Sequence, residues 1–221
     1  MSAQRARLGV LISGGGSNLQ ALLDAAGQAD FPAEVACVVS NMPTAYGLER
    51  ARKAGVRAEV VDHKGFASKA DFEAALHGVL ADAGVQWVCL AGFMRLVSAD
   101  FLKHFPGRVL NIHPSLLPAF PGLHAQRQAL ERGVKVAGCT VHFVDAGTDT
   151  GPIIAQAAVP VLAQDDEASL SARILAEEHR LYPLAVRLAV TGAVTLDGMR
   201  TRVDAIVTGD GAALRSPGAP K

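Results

Sequence analysis

Strand-length runs that are apolar nearly from end to end constrain this chain most. VQWVCLA (Val85–Ala91) and RVLNI (Arg108–Ile112) are of this kind. Such runs suit strands covered on both faces of a sheet. RLGVLIS (Arg7–Ser13), AEVACVVS (Ala33–Ser40) and a short run at Arg57–Asp62 read as further strands. Between them lie amphipathic stretches of helical period: Asn18–Ala26 with Leu19, Leu22 and Leu23 on one face, Tyr46–Ala54 ending at Gly55, and a helix capped by Ser68 that runs to Ala83. Strand–helix alternation implies an α/β fold: a Rossmann-like open, mostly parallel sheet with helices on both faces. A chain of 221 residues can bury one sizeable core of this type.

After Gly133 the pattern changes. VAGCTVHFV (Val136–Val144) and IIAQAAVPV (Ile153–Val161) flank a polar loop and read as an antiparallel C-terminal addition to the sheet. Glu167–Ala189 is a long helix with Asp165 and Asp166 at its positive end, and Pro183 is expected to kink it or start a new segment. The expected organisation is one domain over residues 1–196, then a loose tail over 197–221. Cys37, Cys89 and Cys139 are dispersed in apolar runs without a CxxC pair, which points to buried reduced thiols and a cytoplasmic protein. No stretch reads as a membrane span or a signal peptide. Lys+Arg and Asp+Glu balance at 21 each, so no net field favours nucleic acid.

LISGGGSNLQ (Leu11–Gln20) reads as strand, glycine turn and helix start. Free N–H groups at a helix N-terminus favour an anion such as phosphate. The spacing is neither the dinucleotide fingerprint, because position 19 is Leu, nor a Walker loop, because no GK[ST] follows. A tight turn with an Asn or Ser cap is the structural alternative.

RVLNIHPSLLPA places Asn111 and His113 at the end of a core strand, two residues apart and therefore on one face. Ligands bind beyond the carboxyl ends of such strands. Pro114 and Pro118 limit the loop that follows, which helps to hold the imidazole still. HFVDAGTDTGPI offers Asp145 and Asp149 as carboxylate partners for His113, and the spacing does not choose between them; an ordinary Asx turn suits Asp145 better. Glu178 falls on the apolar stripe of its helix, between Ile174 and Leu181. It either reaches water at the edge of the stripe or meets a cation. LAGFMRLVS (Leu90–Ser98) could line a pocket for a flat heterocycle or be a plain connection.

Taken together, LISGGGSNLQALLDA, SNMPTAYGLERARKAG, VCLAGFMRLVS, LNIHPSLLPAFPGLHA, VHFVDAGTDTGPIIAQ and EEHRLYP resemble the phosphoribosylglycinamide formyltransferases, in order and over roughly residues 8 to 190. The resemblance implies transfer of a formyl group from 10-formyltetrahydrofolate to glycinamide ribonucleotide in purine biosynthesis. It implies a catalytic set of Asn111, His113 and Asp149, which selects between the two acids. Gly16, Ser17 and Asn18 would hold the ribose phosphate, and Glu178 would meet the glycinamide end. Met94, Arg95, Leu96 and Val97 would line the folate pocket with Asn111. Lys69 stands where the family usually carries an arginine near the folate; lysine keeps the charge and loses the planar fork. The partners are then two small molecules, with no metal, no nucleic acid and no membrane, in a monomer or homodimer. A formyltetrahydrofolate hydrolase would carry an extra regulatory domain before the glycine loop, and a methionyl-tRNA formyltransferase a further C-terminal domain. A nicotinamide-dependent dehydrogenase would need an acidic residue after the second strand, where Ser40–Asn41 stands.

Overall fold

The computed structural model describes residues 5–203. The first part alternates: β1 (Ala6–Ile12), α1 (Ser17–Ala26), β2 (Ala33–Ser40), α2 (Gly47–Lys53), β3 (Arg57–Val60), α3 (Lys69–Asp82), β4 (Trp87–Leu90), α4 (Ala99–Lys103) and β5 (Val109–His113). α5 (Ala125–Glu131) precedes β6 (Val136–Phe143) and β7 (Ile153–Pro160). α6 (Glu167–Val190), β8 (Val194–Asp197) and β9 (Arg200–Val203) complete the described chain.

The seven-stranded sheet has the order β3-β2-β1-β4-β5-β6-β7. β1 to β5 pair in parallel, and β6 and β7 add antiparallel. This is the expected Rossmann-like sheet with its antiparallel addition. Alternate residues of β1 feed two cores. Leu8, Val10 and Ile12 pack with Leu19 and Leu22 of α1 and Leu170 and Ile174 of α6, whereas Leu11 packs with Phe72, Leu76 and Leu80 of α3. Both faces are therefore covered, which is why the strands read as unbroken apolar runs. The chain walks from β1 to β3 in one direction and then crosses back to place β4 on the other side of β1. Connections diverge at that point and leave a crevice beyond the strand ends.

α6 closes one face. Asp166 accepts from Ser169 N at 2.7 Å while Ser169 Oγ accepts from Asp166 N at 3.1 Å, a reciprocal cap. The Arg173 guanidinium bonds both oxygens of Asp165 and holds that carboxyl well below the usual carboxylate range. Of the two outcomes expected at Pro183, a kink or a new segment, the new segment does not occur: α6 runs through it to Val190. Leu181, Tyr182, Ala185 and Val186 are buried around it, and this packing outweighs one lost backbone bond. The hydroxyl of the fully buried Tyr182 lies 2.9 Å from Leu90 O and 3.2 Å from Leu110 O, bridging the end of β4 and the start of β5. Tyr182→Phe is expected to cost about 1 kcal/mol, read as a lower urea midpoint with an unchanged slope.

β8 and β9 form a separate hairpin, with Thr201 Oγ1 donating to Ile153 O at 2.5 Å. This hairpin takes in the start of the stretch expected to be loose from Asp197; residues 204–221 of that stretch lie outside the described residues. Cys37, Cys89 and Cys139 are free and buried, and burial pushes their thiols up to about 11, 12 and 12. Among the described residues no helix is long and apolar enough to cross a membrane.

Candidate active site

The glycine loop leaves β1 and enters α1 at Gly16, whose φ is 71°. A Cβ there would stand 2.8 Å from Gly47 Cα, so glycine is required by both the conformation and the close approach of α2. Gly47 N donates to Gly14 O at 3.0 Å, and Arg50 Nε to Gly15 O at 2.8 Å. No side chain caps α1, so its first N–H groups are left for water or an anion. A cavity of about 310 Å³ beside this turn is lined by Ser17, Gln20, Asp24, Arg50 and His179, among others. His179 Nε2 is buried without a hydrogen-bond partner, and burial, with Arg50 nearby, pushes its imidazole pKa down.

Asn18 turns away from that cavity. Its Nδ2 donates to Glu178 Oε2 at 2.6 Å, and both residues are buried. The carboxylate on the apolar stripe of α6 is thus paired with a neutral amide rather than reaching water. Burial raises its pKa, and the Asn18 bond offsets only part of the rise.

Ser13 ties the glycine loop to the segment after β4. It donates from N to Gly92 O at 3.1 Å, and its Oγ accepts from Met94 N at 2.8 Å. At the other end of that segment, Ser98 N donates to buried Glu73 Oε1 at 2.8 Å. Between these anchors, Met94, Arg95, Leu96 and Val97 line a cavity of about 590 Å³. Met94 and Leu96 are 63% and 62% exposed, an apolar rim without a protein partner. Lys69 is not part of the lining: it opens α3, half exposed, with Nζ 3.7 Å from Glu73 Oε1.

Asn111 and His113 project from β5 into the same cavity, and Asp149 joins them from the β6–β7 loop. His113 is buried, with Nδ1 3.3 Å from Asp149 Oδ2 and Nε2 2.9 Å from Phe120 O. Both ring nitrogens face acceptors, an arrangement that the doubly protonated ring satisfies. The loop bearing Phe120 is stitched to the antiparallel strands: Leu117 N donates to Thr140 Oγ1 at 3.0 Å, and Gln156 Nε2 to Leu117 O at 2.9 Å. These bonds hold the loop that braces the imidazole.

Asp149 has φ 55°, a left-handed conformation that costs a non-glycine residue about 1 kcal/mol. Its Oδ2 accepts from Gly122 N at 2.8 Å, and Asn111 Nδ2 reaches its Oδ1 at 3.3 Å. Burial pushes this carboxyl up, but His142, the Gly122 N–H and the His113 charge together outweigh it, and the net direction is down. Asp145 does make the Asx turn, accepting from Gly147 N at 3.1 Å.

His142 is the residue that sequence reasoning missed. It pairs across the ladder with Asn111, and its Nε2 lies 3.1 Å from Asn111 Nδ2. Its Nδ1 bonds Phe143 O at 2.9 Å, and its Nε2 also lies 3.6 Å from Asp149 Oδ1, so the ring faces both the amide and the carboxylate of the cluster. Arg50 was also missed. Among the described residues, no group of three or more His, Cys, Asp or Glu is placed to hold a metal ion. The cluster can direct donors at an oxygen that gains negative charge and can carry a proton, beside an apolar cavity large enough for a heterocycle.

Comparison with known proteins places this arrangement. The formyl transferase family model matches residues 6–186. The phosphoribosylglycinamide formyltransferase of Escherichia coli K12 is 46% identical over 198 residues, covering 86% of this chain and 93% of that protein. The trifunctional purine biosynthetic protein adenosine-3 of Drosophila melanogaster is 52% identical over 89% of this chain, which spans only 15% of the fly protein's length. The crystal structure of glycinamide ribonucleotide transformylase 1 from Symbiobacterium toebii superposes with a TM-score of 0.89 at 57% identity, covering 92% of this chain and 99% of that one. With a family model over most of the chain and identity at this level across nearly all of two of these relatives, the chain belongs to the formyl transferase family, in its phosphoribosylglycinamide formyltransferase branch.

Proposed function

We propose that this protein transfers the formyl group of 10-formyltetrahydrofolate to the amine of glycinamide ribonucleotide, as a step of purine biosynthesis, from a single domain over residues 1–196. The observation that carries the reading is the meeting of Asn111, His113 and Asp149 at a 590 Å³ cavity with an apolar rim, on a strand two places from the glycine loop. The folate would occupy that cavity against Met94, Arg95, Leu96 and Val97. The size of the cavity and its apolar rim support 10-formyltetrahydrofolate as the formyl donor. The ribose phosphate would lie on the N–H groups after Gly16 and on Ser17, with Arg50 supplying the cation that those dipoles lack.

The neutral amine attacks the formyl carbon, and the carbonyl electron pair moves to oxygen. Asn111 Nδ2 and the His113 Nε2–H would receive that charge, exchanging Asp149 Oδ1 and Phe120 O for the formyl oxygen. The 3.3 Å Asn111–Asp149 contact is the weaker of the amide's bonds and the one to give way. Collapse of the tetrahedral species breaks the bond to the folate nitrogen. The proton lost by the amine passes to that nitrogen through water held by Asp149 and His113. Asp149, ionised across neutral pH, keeps the imidazolium in place.

The direct test is release of tetrahydrofolate from 10-formyltetrahydrofolate, followed by absorbance with and without glycinamide ribonucleotide. Release that depends on the nucleotide is the expected result. Release without it would make water the acceptor, and the glycine loop would then have been misread.

A further inference from the structure

Asp149 sits in a strained conformation, and its own bonds fix only its carboxylate, not the turn beneath it. We propose that Asp145 is the positioning residue of this site: through Thr150 and the Gly147 N–H, its carboxylate locks the turn that carries Asp149 to His113. The inference rests on the formyl-transfer reading above, for which Asp149 must be placed.

The lock is dense. Asp145 Oδ1 accepts from Gly147 N at 3.1 Å and from Thr150 Oγ1 at 2.8 Å, and its Oδ2 lies 2.9 Å from the same hydroxyl. Thr150 follows Asp149 directly, so the clamp closes on the adjoining residue. The turn has no slack elsewhere. A Cβ on Gly147 would stand 2.0 Å from Thr150 Oγ1, and one on Gly151 would stand 1.8 Å from Phe143 O. The base of the loop is therefore shut against β6, and its outer half is held by one carboxylate. Asp149 needs this precision. Its Oδ2 must reach Gly122 N at 2.8 Å and His113 Nδ1 at 3.3 Å together, and a small rotation of the turn loses the longer contact. An error of about 1 Å in a catalytic group can cost a hundredfold in rate.

A turn that served only the fold would affect stability and leave the site alone, and this difference can be measured. Thr150 is exposed and does not line the cavity, so Thr150→Val removes the hydroxyl at nearly constant shape without touching a ligand. Asp145 does line the cavity, and Asp145→Ala serves as the second variant. Two readouts are taken: kcat and KM for formyl transfer, and the NMR titration of the Asp149 carboxyl carbon in the substrate-free protein. The charged and polar groups facing Asp149 are Asn111, His113, His142 and the Gly122 N–H. In Thr150→Val, kcat is expected to fall about tenfold or more with KM unchanged. The Asp149 titration should move up toward the ordinary aspartate range, because its lowering contacts weaken while burial remains. Thr150→Ser should restore both. Wild-type kcat and titration in Thr150→Val would overturn the proposal. So would a loss of activity matched by loss of folded protein, with the Asp149 titration unmoved. If the wild-type protein transfers no formyl group, the functional reading fails, while the titration still decides the clamp.

Discussion

His113→Ala is expected to lower kcat by about a hundred- to ten-thousandfold and to leave the KM of each substrate close to wild type. The split follows from the geometry. The imidazole is buried and held from both sides, by Phe120 O and by Asp149, so it contributes orientation and charge and little contact area for a ligand. Its donor reaches full value only when charge has moved onto the formyl oxygen, and such an interaction appears in kcat and not in ground-state binding. Removing the ring also leaves Asp149 without its imidazole partner beside a cavity, so thermal stability should be measured alongside. Steady-state kinetics with both substrates varied would decide. Near-normal turnover in a folded His113→Ala protein would remove His113 from the mechanism.

Much of this arrangement could be read from the sequence because it is local. The strands stand out because both faces are covered, so that Leu8, Val10 and Ile12 feed one core and Leu11 the other. Asn111 and His113 stand out because polar groups close an apolar strand. The same rule exposed Glu178, although its partner is Asn18, 160 positions away, which no periodicity reports. What escaped was set by pairing across the sheet and by loop conformation. His142 looks like an ordinary residue of an apolar strand until the antiparallel register places it opposite Asn111. Arg50 resembles any charge on a short helix until α2 packs on the glycine loop. Spacing left Asp145 and Asp149 open and only the resemblance chose Asp149; its approach to His113 at 3.3 Å comes from a loop with positive φ at Asp149, which spacing cannot express. Lys69 shows the reverse limit: a position singled out by resemblance lies outside the cavity lining, beside Glu73, the residue that anchors Ser98 at the end of the lining segment.

Asp149→Asn is expected to lower kcat by about a hundredfold or more, and its pH dependence separates charge from shape. Asparagine keeps the size of the side chain but removes the charge, and it places an N–H₂ group where Gly122 N–H, His113 and Asn111 all require an acceptor. The wild-type carboxyl is pushed up by burial and pulled down further by His142, Gly122 and His113, so its folded pKa lies below its unfolded value. The sign of the linkage is then fixed. The carboxylate contributes stability at pH values above the unfolded aspartate pKa of about 3.9, and the contribution is lost as pH falls through the lower folded value. Asp149→Asn has no such group to protonate. Unfolding midpoints of the two proteins should therefore differ most at neutral pH and converge below about pH 4. A gap that stays constant down to acid pH would mean that Asp149 acts by shape alone, and the imidazolium in the proposed mechanism would lose its counter-charge.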